Sequence, residues 1–254
     1  MNEAILSRPG CRECAEGKAL EFDFTMAFQP IVDLREGRVF AHEALVRGLN
    51  QEPAGQILAR VNDSNRYRFD QTCRVKAISL AAQLGLEGLL SINFLPHAIY
   101  RPETCIRTTL DAAQRYGFPQ ERIIFEVTEG EQVQDHAHLI GIFEEYKRLG
   151  FRTAIDDFGA GYSGLNMLAE FQPDIVKLDM VLVRNIHADK ARRAIVRGIA
   201  GVCQELDITL VAEGIETLEE KQVLLDLGIV LQQGFLYARP AFEAAAELSA
   251  AACD

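Results

Sequence analysis

A closed (β/α)8 TIM-type barrel, with one strand near the N-terminus running against its neighbours, is the fold this chain should adopt. Short apolar segments alternate with longer amphipathic ones along almost its whole length, the rhythm of strands and helices taken in turn. No linker or low-complexity tract divides the 254 residues, a length that α/β barrels reach as one cooperative unit. Nearly every candidate strand also carries an ionisable or amide residue, whereas strands covered by helices should read as continuous apolar runs.

The first strand, 26–32, contains Gln29, and the second, 39–47, contains Glu43. Only residues 33–38 join them, too few for a parallel crossover of about a dozen residues, so one of the two is expected to be antiparallel. Helical patterns at 54–62 and 66–84 lead to a third strand, 89–94, with Asn93 inside LLSINF. A helix over 103–116 precedes strand four, 122–129, with Glu126 in IIFEVTE. A helix over 135–148 precedes strand five, 152–159, where Asp156 and Asp157 stand together in TAIDDFG, and a shorter helix follows Ser163. Strand six, 174–180, holds Lys177; a helix over 189–205 leads to strand seven, 209–215, with Glu213. A helix over 217–227 leads to strand eight, 230–237, with Gln233, and a last helix is expected near 241–251. Residues 1–24 read as a polar arm outside a barrel domain spanning 25–254.

Composition removes several function classes. A net charge of −11 repels a polyphosphate backbone over most of the surface, so no nucleic-acid polymer is an expected partner. No apolar run approaches the roughly 20 residues of a membrane-spanning helix, and no signal-peptide hydrophobic region opens the chain. Scattered cysteines at 11, 14, 73, 105, 203 and 253 fit free thiols in a reducing cytoplasm, the expected compartment. Cys11 and Cys14 form a lone C-x-x-C, half of a tetrahedral zinc site. They read as two thiols on the arm, with zinc shared between two chains or a redox switch as alternatives.

Most of the interrupting polar residues sit toward the C-terminal part of their strand, the end at which barrel enzymes place their chemistry. Wrapped around a closed barrel they converge on one mouth. Glu43, Glu126, Asp156, Asp157 and Glu213 would repel one another there unless cations compensate, and Lys177 alone is too little. Carboxylates plus an amide, without His or Cys, suit Mg²⁺ or Mn²⁺ rather than zinc. The adjacent aspartates suggest two ions with one bridging carboxylate. Because strand neighbours face opposite ways, Asp157 must lie where the strand already turns into its loop. Ca²⁺ accepts the same oxygens, but its ligands lie at about 2.3–2.6 Å, against about 2.0–2.1 Å for Mg²⁺, so calcium should bind and inhibit. A lysine among carboxylates keeps its charge and cannot accept a proton. The same residues leave open an enolase-like barrel, in which the lysine removes a carbon-bound proton; the paired aspartates oppose it.

In order along the chain stand FQPIV, EALVR, SINFLP, FEVTE, IDDFGAGYSGL, PDIVKLD, VAEGIE and QGFLYARP. These segments resemble the EAL family of cyclic di-GMP phosphodiesterases, named for the tripeptide that stands here as Glu43-Ala44-Leu45, over about residues 25–242. DFGAGYSGL replaces the more usual DFGTGYSSL and NFLP stands where NLSP is common; neither change removes a ligand. The resemblance implies that Glu43, Asn93, Glu126 and Asp156 hold one Mg²⁺ or Mn²⁺ ion. Asp156 would bridge to a second, held also by Asp157 and supported by Glu213. Lys177 is implied to position the attacking water, with Glu43 and Glu213 beside it in the reacting centre. Gln29, Leu45, Arg47, Asp179, Glu216, Gln233 and Pro240 are implied to line the dinucleotide pocket. Glu129 is implied to steady the loop 158–168, beside which the family commonly forms a homodimer. The implied reaction cuts one phosphodiester of cyclic di-GMP to linear pGpG, under an unassigned sensor or regulatory partner. A catalytically silent EAL module acting as receptor or protein-interaction regulator is the alternative, although its usual sign, loss of ligands, is missing.

Overall fold

The computed structural model describes residues 20–129, 136–161 and 164–252, so the expectations for Cys11 and Cys14 lie outside the described residues. Strand β1 (Thr25–Asp33) turns back into β2 (Arg38–Arg47), and the two run antiparallel with Gln29 opposite Glu43. The turn is set locally. The Asp33 carboxylate accepts from the Arg35 and Glu36 amides at 3.0 and 3.1 Å, and Gly37 adopts a left-handed φ of 62°.

From β2 the strands continue in parallel as β3 (Leu89–Asn93), β4 (Ile123–Thr128), β5 (Arg152–Phe158), β6 (Ile175–Leu178), β7 (Thr209–Ala212) and β8 (Leu231–Gln232). β8 pairs antiparallel with Val32 and Asp33 of β1, which closes an eight-stranded barrel. β1 therefore runs against both neighbours, as a link too short to cross over requires.

The covering helices are α1 (Ala54–Leu58), α2 (Arg66–Gln83), α3 (Pro102–Cys105), α4 (Arg107–Tyr116), α5 (His136–Arg148), α6 (Gly164–Glu170), α7 (Met180–Val183), α8 (Lys190–Glu205) and α9 (Leu218–Asp226). Side chains fix three of their starts, that of α7 through Asp179. Asp189 accepts from the Ala191 and Arg192 amides, and Thr217 with Glu220 forms a capping box.

Two regions depart from expectation. Strands six to eight are shorter than predicted, because their last residues leave the ladder to shape the mouth. The helix expected near 241–251 is absent. Instead Ala241–Phe242 form a short β9 against Ala27 and Phe28, and a 3₁₀ turn follows at Ala250–Ala252. β8 reaches only one end of β1, so the backbone at the other end would stay unpaired, and the returning chain supplies its partners. Glu243, at φ 48°, donates its amide to the Met26 carbonyl at 3.1 Å and accepts from the Thr25 hydroxyl at 2.5 Å.

Alternation along the strands builds the interior in layers. Ile31, Ala41, Ile124, Ala154, Ile175, Val211 and Leu231 form an apolar plug, against which Leu89 packs. Two residues nearer the mouth on the same strands, about 7 Å higher, come Gln29, Glu43, Glu126, Asp156, Lys177, Glu213 and Gln233. A second apolar layer fills the space between strands and helices. It encloses an ion pair in which Arg74 of α2 meets Asp70 at 2.8 Å and the Tyr146 hydroxyl of α5 at 2.9 Å. Asp70 also accepts from the Leu95 amide at 3.0 Å, tying α2 to the chain just past Asn93.

Candidate active site

The polar layer is a connected cluster around one cation. Lys177 Nζ lies 2.7 Å from Glu213, 3.1 Å from both Glu126 and Asp156, and 3.5 Å from Glu43. Lys177 and Glu126 are fully enclosed, and Glu43 and Asp156 are buried at the floor of the mouth. Gln233 donates to Glu43 at 2.8 Å, and Ser91 donates to Glu126 at 2.6 Å. Asn93 presents its amide nitrogen to Glu126 at 2.8 Å and to Glu43 at 3.3 Å, so it must turn its amide over to offer oxygen to an ion.

Asp157 shares this cluster because β5 is irregular. The β5–β6 register breaks between Ile155 and Phe158, and Asp157 takes a left-handed φ of 54°. That φ is uncommon for a side chain other than glycine's, and aspartate is among the residues that tolerate it. It brings the carboxylate to the same side as Asp156, whose own carboxylate accepts the Asp157 amide at 2.9 Å.

The electrostatics follow from crowding. Burial alone would lower Lys177, but Asp156, Glu126, Glu213 and Glu43 together hold it well above its ordinary range, so it stays protonated. Burial, only partly opposed by Lys177, pushes Glu126 up to about 8 and lifts Glu213 well above the usual carboxylate range. Burial and the neighbouring Asp156 and Asp179 push Asp157 up to about 6. Burial is the main cause in all three, and Lys177 offsets only part of it.

Oxygens of Glu43, Glu126 and Asp156, and likewise of Asp156, Asp157 and Glu213, lie within 4.8 Å of one another. Two acidic triads sharing Asp156, buried around a single cation and offering only hard oxygens, fit divalent ions of the Mg²⁺ or Mn²⁺ type.

A cavity of about 210 Å³ opens beside this centre, lined among others by Gln29, Asp179, Glu216, Gln233 and Phe235. Gln29 donates to the Ala238 carbonyl at 3.2 Å, and Asp179 caps α7 by accepting from Val181 at 2.7 Å. Leu45 lies elsewhere, with Asn93 and Thr128 in a larger, mainly apolar hollow of about 450 Å³ between the barrel wall and α1 and α2. Arg47 is half-buried and donates to the Val46 carbonyl at 2.7 Å. Pro240, also half-buried, directly precedes β9. Glu129 accepts from the Gly159, Gly161 and Gly164 amides at 2.7, 3.3 and 2.7 Å.

Sequence reasoning passed over three residues of this region. Ser91 stands two positions before Asn93, a spacing that places both on one strand face, and that was the available signal. Arg184 holds Glu216 through two contacts, at 2.7 and 2.9 Å. Phe235 is 48% exposed, with the Arg239 guanidinium 4.2 Å from its ring centroid, and it forms a wall of the cavity.

A family model described as EAL domain matches residues 18–240. Among solved structures, the c-di-GMP-bound form of a standalone versatile EAL protein from Vibrio cholerae O395 is 57% identical, covers 91% of this chain and 98% of that one, and superposes with a TM-score of 0.88. BlrP1 of Klebsiella pneumoniae, in a calcium and cyclic di-GMP complex, is 37% identical over 91% of this chain and 60% of its own, with a TM-score of 0.84. A manganese complex of BlrP1 with the same dinucleotide also matches. Two curated relatives come from Escherichia coli K12. The blue light- and temperature-regulated antirepressor BluF is 33% identical over 84% of this chain and 53% of its own length. The cyclic di-GMP phosphodiesterase PdeR is 31% identical over 88% of this chain and 35% of its length. The chain thus spans about half or less of these curated relatives.

Proposed function

The chain belongs to the EAL domain family, and from that premise we propose that it hydrolyses one phosphodiester bond of cyclic di-GMP to linear pGpG, using two divalent ions. The observation that carries the reading is the convergence of Glu43, Glu126, Asp156, Asp157 and Glu213 around one lysine at the C-terminal mouth of the barrel. Relatives named cyclic di-GMP phosphodiesterases, and similar proteins solved with that dinucleotide, support the substrate.

Bound Mg²⁺ or Mn²⁺ would neutralise the phosphate and lower the pKa of a water from about 15.7 toward neutrality. Glu43, Asn93, Glu126 and Asp156 would hold one ion; Asp156, Asp157 and Glu213 would hold the other. Lys177, fixed in its charged form by four carboxylates, serves as a hydrogen-bond donor that orients the attacking water and opposes negative charge building on the phosphate. Gln29, Asp179, Glu216 and Gln233 line the cavity beside this centre and would receive the nucleotide; Leu45, Arg47 and Pro240 do not line that cavity and would meet only parts of the dinucleotide that reach beyond it. Through Gly159, Gly161 and Gly164, Glu129 would steady the loop after β5. A second copy is assigned to the same face, where Leu165 is 63% exposed. The barrel is assigned to residues 25–254 and the reaction to the cytoplasm; no helix among the described residues is long and apolar enough to cross a membrane.

Pure protein incubated with cyclic di-GMP and either Mg²⁺ or Mn²⁺, followed by separation of pGpG, tests the reading. Dinucleotide binding with no product under either ion would replace it with a second reading, a regulatory EAL module. The 33% identity to an antirepressor favours that one.

A further inference from the structure

The layer of polar side chains above the apolar plug contains one residue from each strand position around the barrel, and on β3 that residue is Ser91. We infer that Ser91 is a positioning residue for Glu126 and, through it, sets which divalent ion the centre prefers; the inference rests on the metal-dependent reading proposed above.

Ser91 is 1% exposed and stands in register with Glu43 on β2. Its hydroxyl donates to Glu126 Oε2 at 2.6 Å, and Lys177 Nζ lies 3.1 Å from the same oxygen. Both donors are enclosed by the barrel, so Oε2 faces inward. The other oxygen, Oε1, faces Asn93 at 2.8 Å, and Asn93 is exposed at the mouth. An ion arriving from the mouth therefore meets one oxygen of Glu126, while the second is held from below by two donors. Lys177 is shared with three other carboxylates and cannot fix the plane of this one by itself. Without the serine hydroxyl, Glu126 is free to rotate and offer both oxygens.

That difference matters most for ion size. Ca²⁺ takes 6–8 oxygens and readily accepts a carboxylate through both, whereas Mg²⁺ is smaller and demands near-octahedral geometry. Holding Glu126 to one oxygen favours the smaller ion. Residues that orient metal ligands typically change affinity by about 10–100-fold when removed.

The test is direct Mn²⁺ binding, followed by electron paramagnetic resonance, with Ca²⁺ as competitor, on wild type, S91A and S91C. The cysteine keeps a donor at the same position, but a larger and weaker one. Mn²⁺ affinity should fall about tenfold or more in S91A and less in S91C. The preference should shift toward Ca²⁺ in the same order, and kcat should fall with KM for cyclic di-GMP unchanged. Metal-free melting of both variants should stay close to wild type. Unchanged Mn²⁺ affinity and ion preference in S91A would overturn the inference alone, as would a metal-free S91A protein that does not fold, since the hydroxyl would then be structural. Wild-type protein that binds no Mn²⁺ would overturn the metal-dependent reading and this inference with it.

Discussion

Replacing Lys177 with methionine removes the one positive charge from a floor of carboxylates while keeping most of the stem that packs there. Its Nζ lies 2.7–3.5 Å from four carboxylates and the residue is 1% exposed, so solvent cannot take over its role. Breaking a buried ion pair by deleting one partner costs about 3–5 kcal/mol, unless the orphaned charges can be neutralised. Here they can, by keeping protons, and that makes the cost depend on pH. A carboxylate whose folded pKa lies above its unfolded value gives stability that is complete below the unfolded value and is lost as pH rises through the folded one. In the wild type, Glu126 spreads that loss between about 4.5 and about 8. In the variant Glu126 and Glu213 lose the cation that lowers them and rise further, so the curve falls more steeply. Each unit of pKa difference carries about 1.4 kcal/mol. We expect metal-free Lys177→Met to come close to wild type at about pH 4.5 and to be about 3 kcal/mol less stable at about pH 8. For a chain of this size that is a drop of about 6–12 °C in melting temperature. Added Mg²⁺ should narrow the gap by supplying the missing charge, while turnover with Mg²⁺ stays at least about 10²-fold down for want of an oriented donor. Equal melting temperatures at about pH 8 in chelator would refute the account of Lys177 as the charge that holds this site together.

Metal binding should release protons, since Asp157 is pushed up to about 6 and Glu126 to about 8. Mn²⁺ affinity should therefore climb from about pH 5.5 to about pH 8 and then level, and calorimetry in buffers of different ionisation heat would reveal its absence as an affinity flat with pH. Glu129→Ala should free the Gly159, Gly161 and Gly164 amides from their common acceptor. Turnover should fall at least about tenfold, as when an orienting residue is lost, with faster hydrogen exchange at those glycines; unchanged exchange would separate Glu129 from the loop. Ca²⁺ titrated into a Mg²⁺-supported assay should stop turnover while cyclic di-GMP still binds, because a larger ion expands the site without abolishing phosphate contacts. Brisk hydrolysis by metal-stripped protein in Ca²⁺ alone would contradict the two-ion arrangement.

Much of this was written along the chain. Apolar runs interrupted by Glu43, Glu126, Asp156, Lys177 or Glu213 named both the strands and the residues aimed into the barrel, because burying an ionisable group is costly and strands of this kind have no other reason to carry one. The six residues 33–38 determined that the first two strands run against each other, since no parallel crossover fits in so short a span; that β1 is the reversed one was decided by β2 pairing in parallel with β3. Adjacent Asp156 and Asp157 predicted that the strand turns into its loop at Asp157; instead β5 runs on to Phe158, and an irregularity with a left-handed φ at Asp157 brings the two carboxylates together.

Closure decided the rest. The length of β8 left part of β1 unpaired, and that long-range demand turned 241–242 into a strand despite an alanine-rich sequence with good helix propensity. Ser91 was marked only by its spacing from Asn93, and its partner was not legible until the barrel brought Glu126 within 2.6 Å of it. The pairing of Arg184 with Glu216 joins residues 32 positions apart, and that of Gln233 with Glu43 joins residues 190 apart. Sequence thus determined which side chains are costly to bury and on which strand each stands. Only the closed barrel decided which of them share a proton, an ion or a hydrogen bond, because those energies depend on distances of a few ångströms between strands that local sequence does not encode.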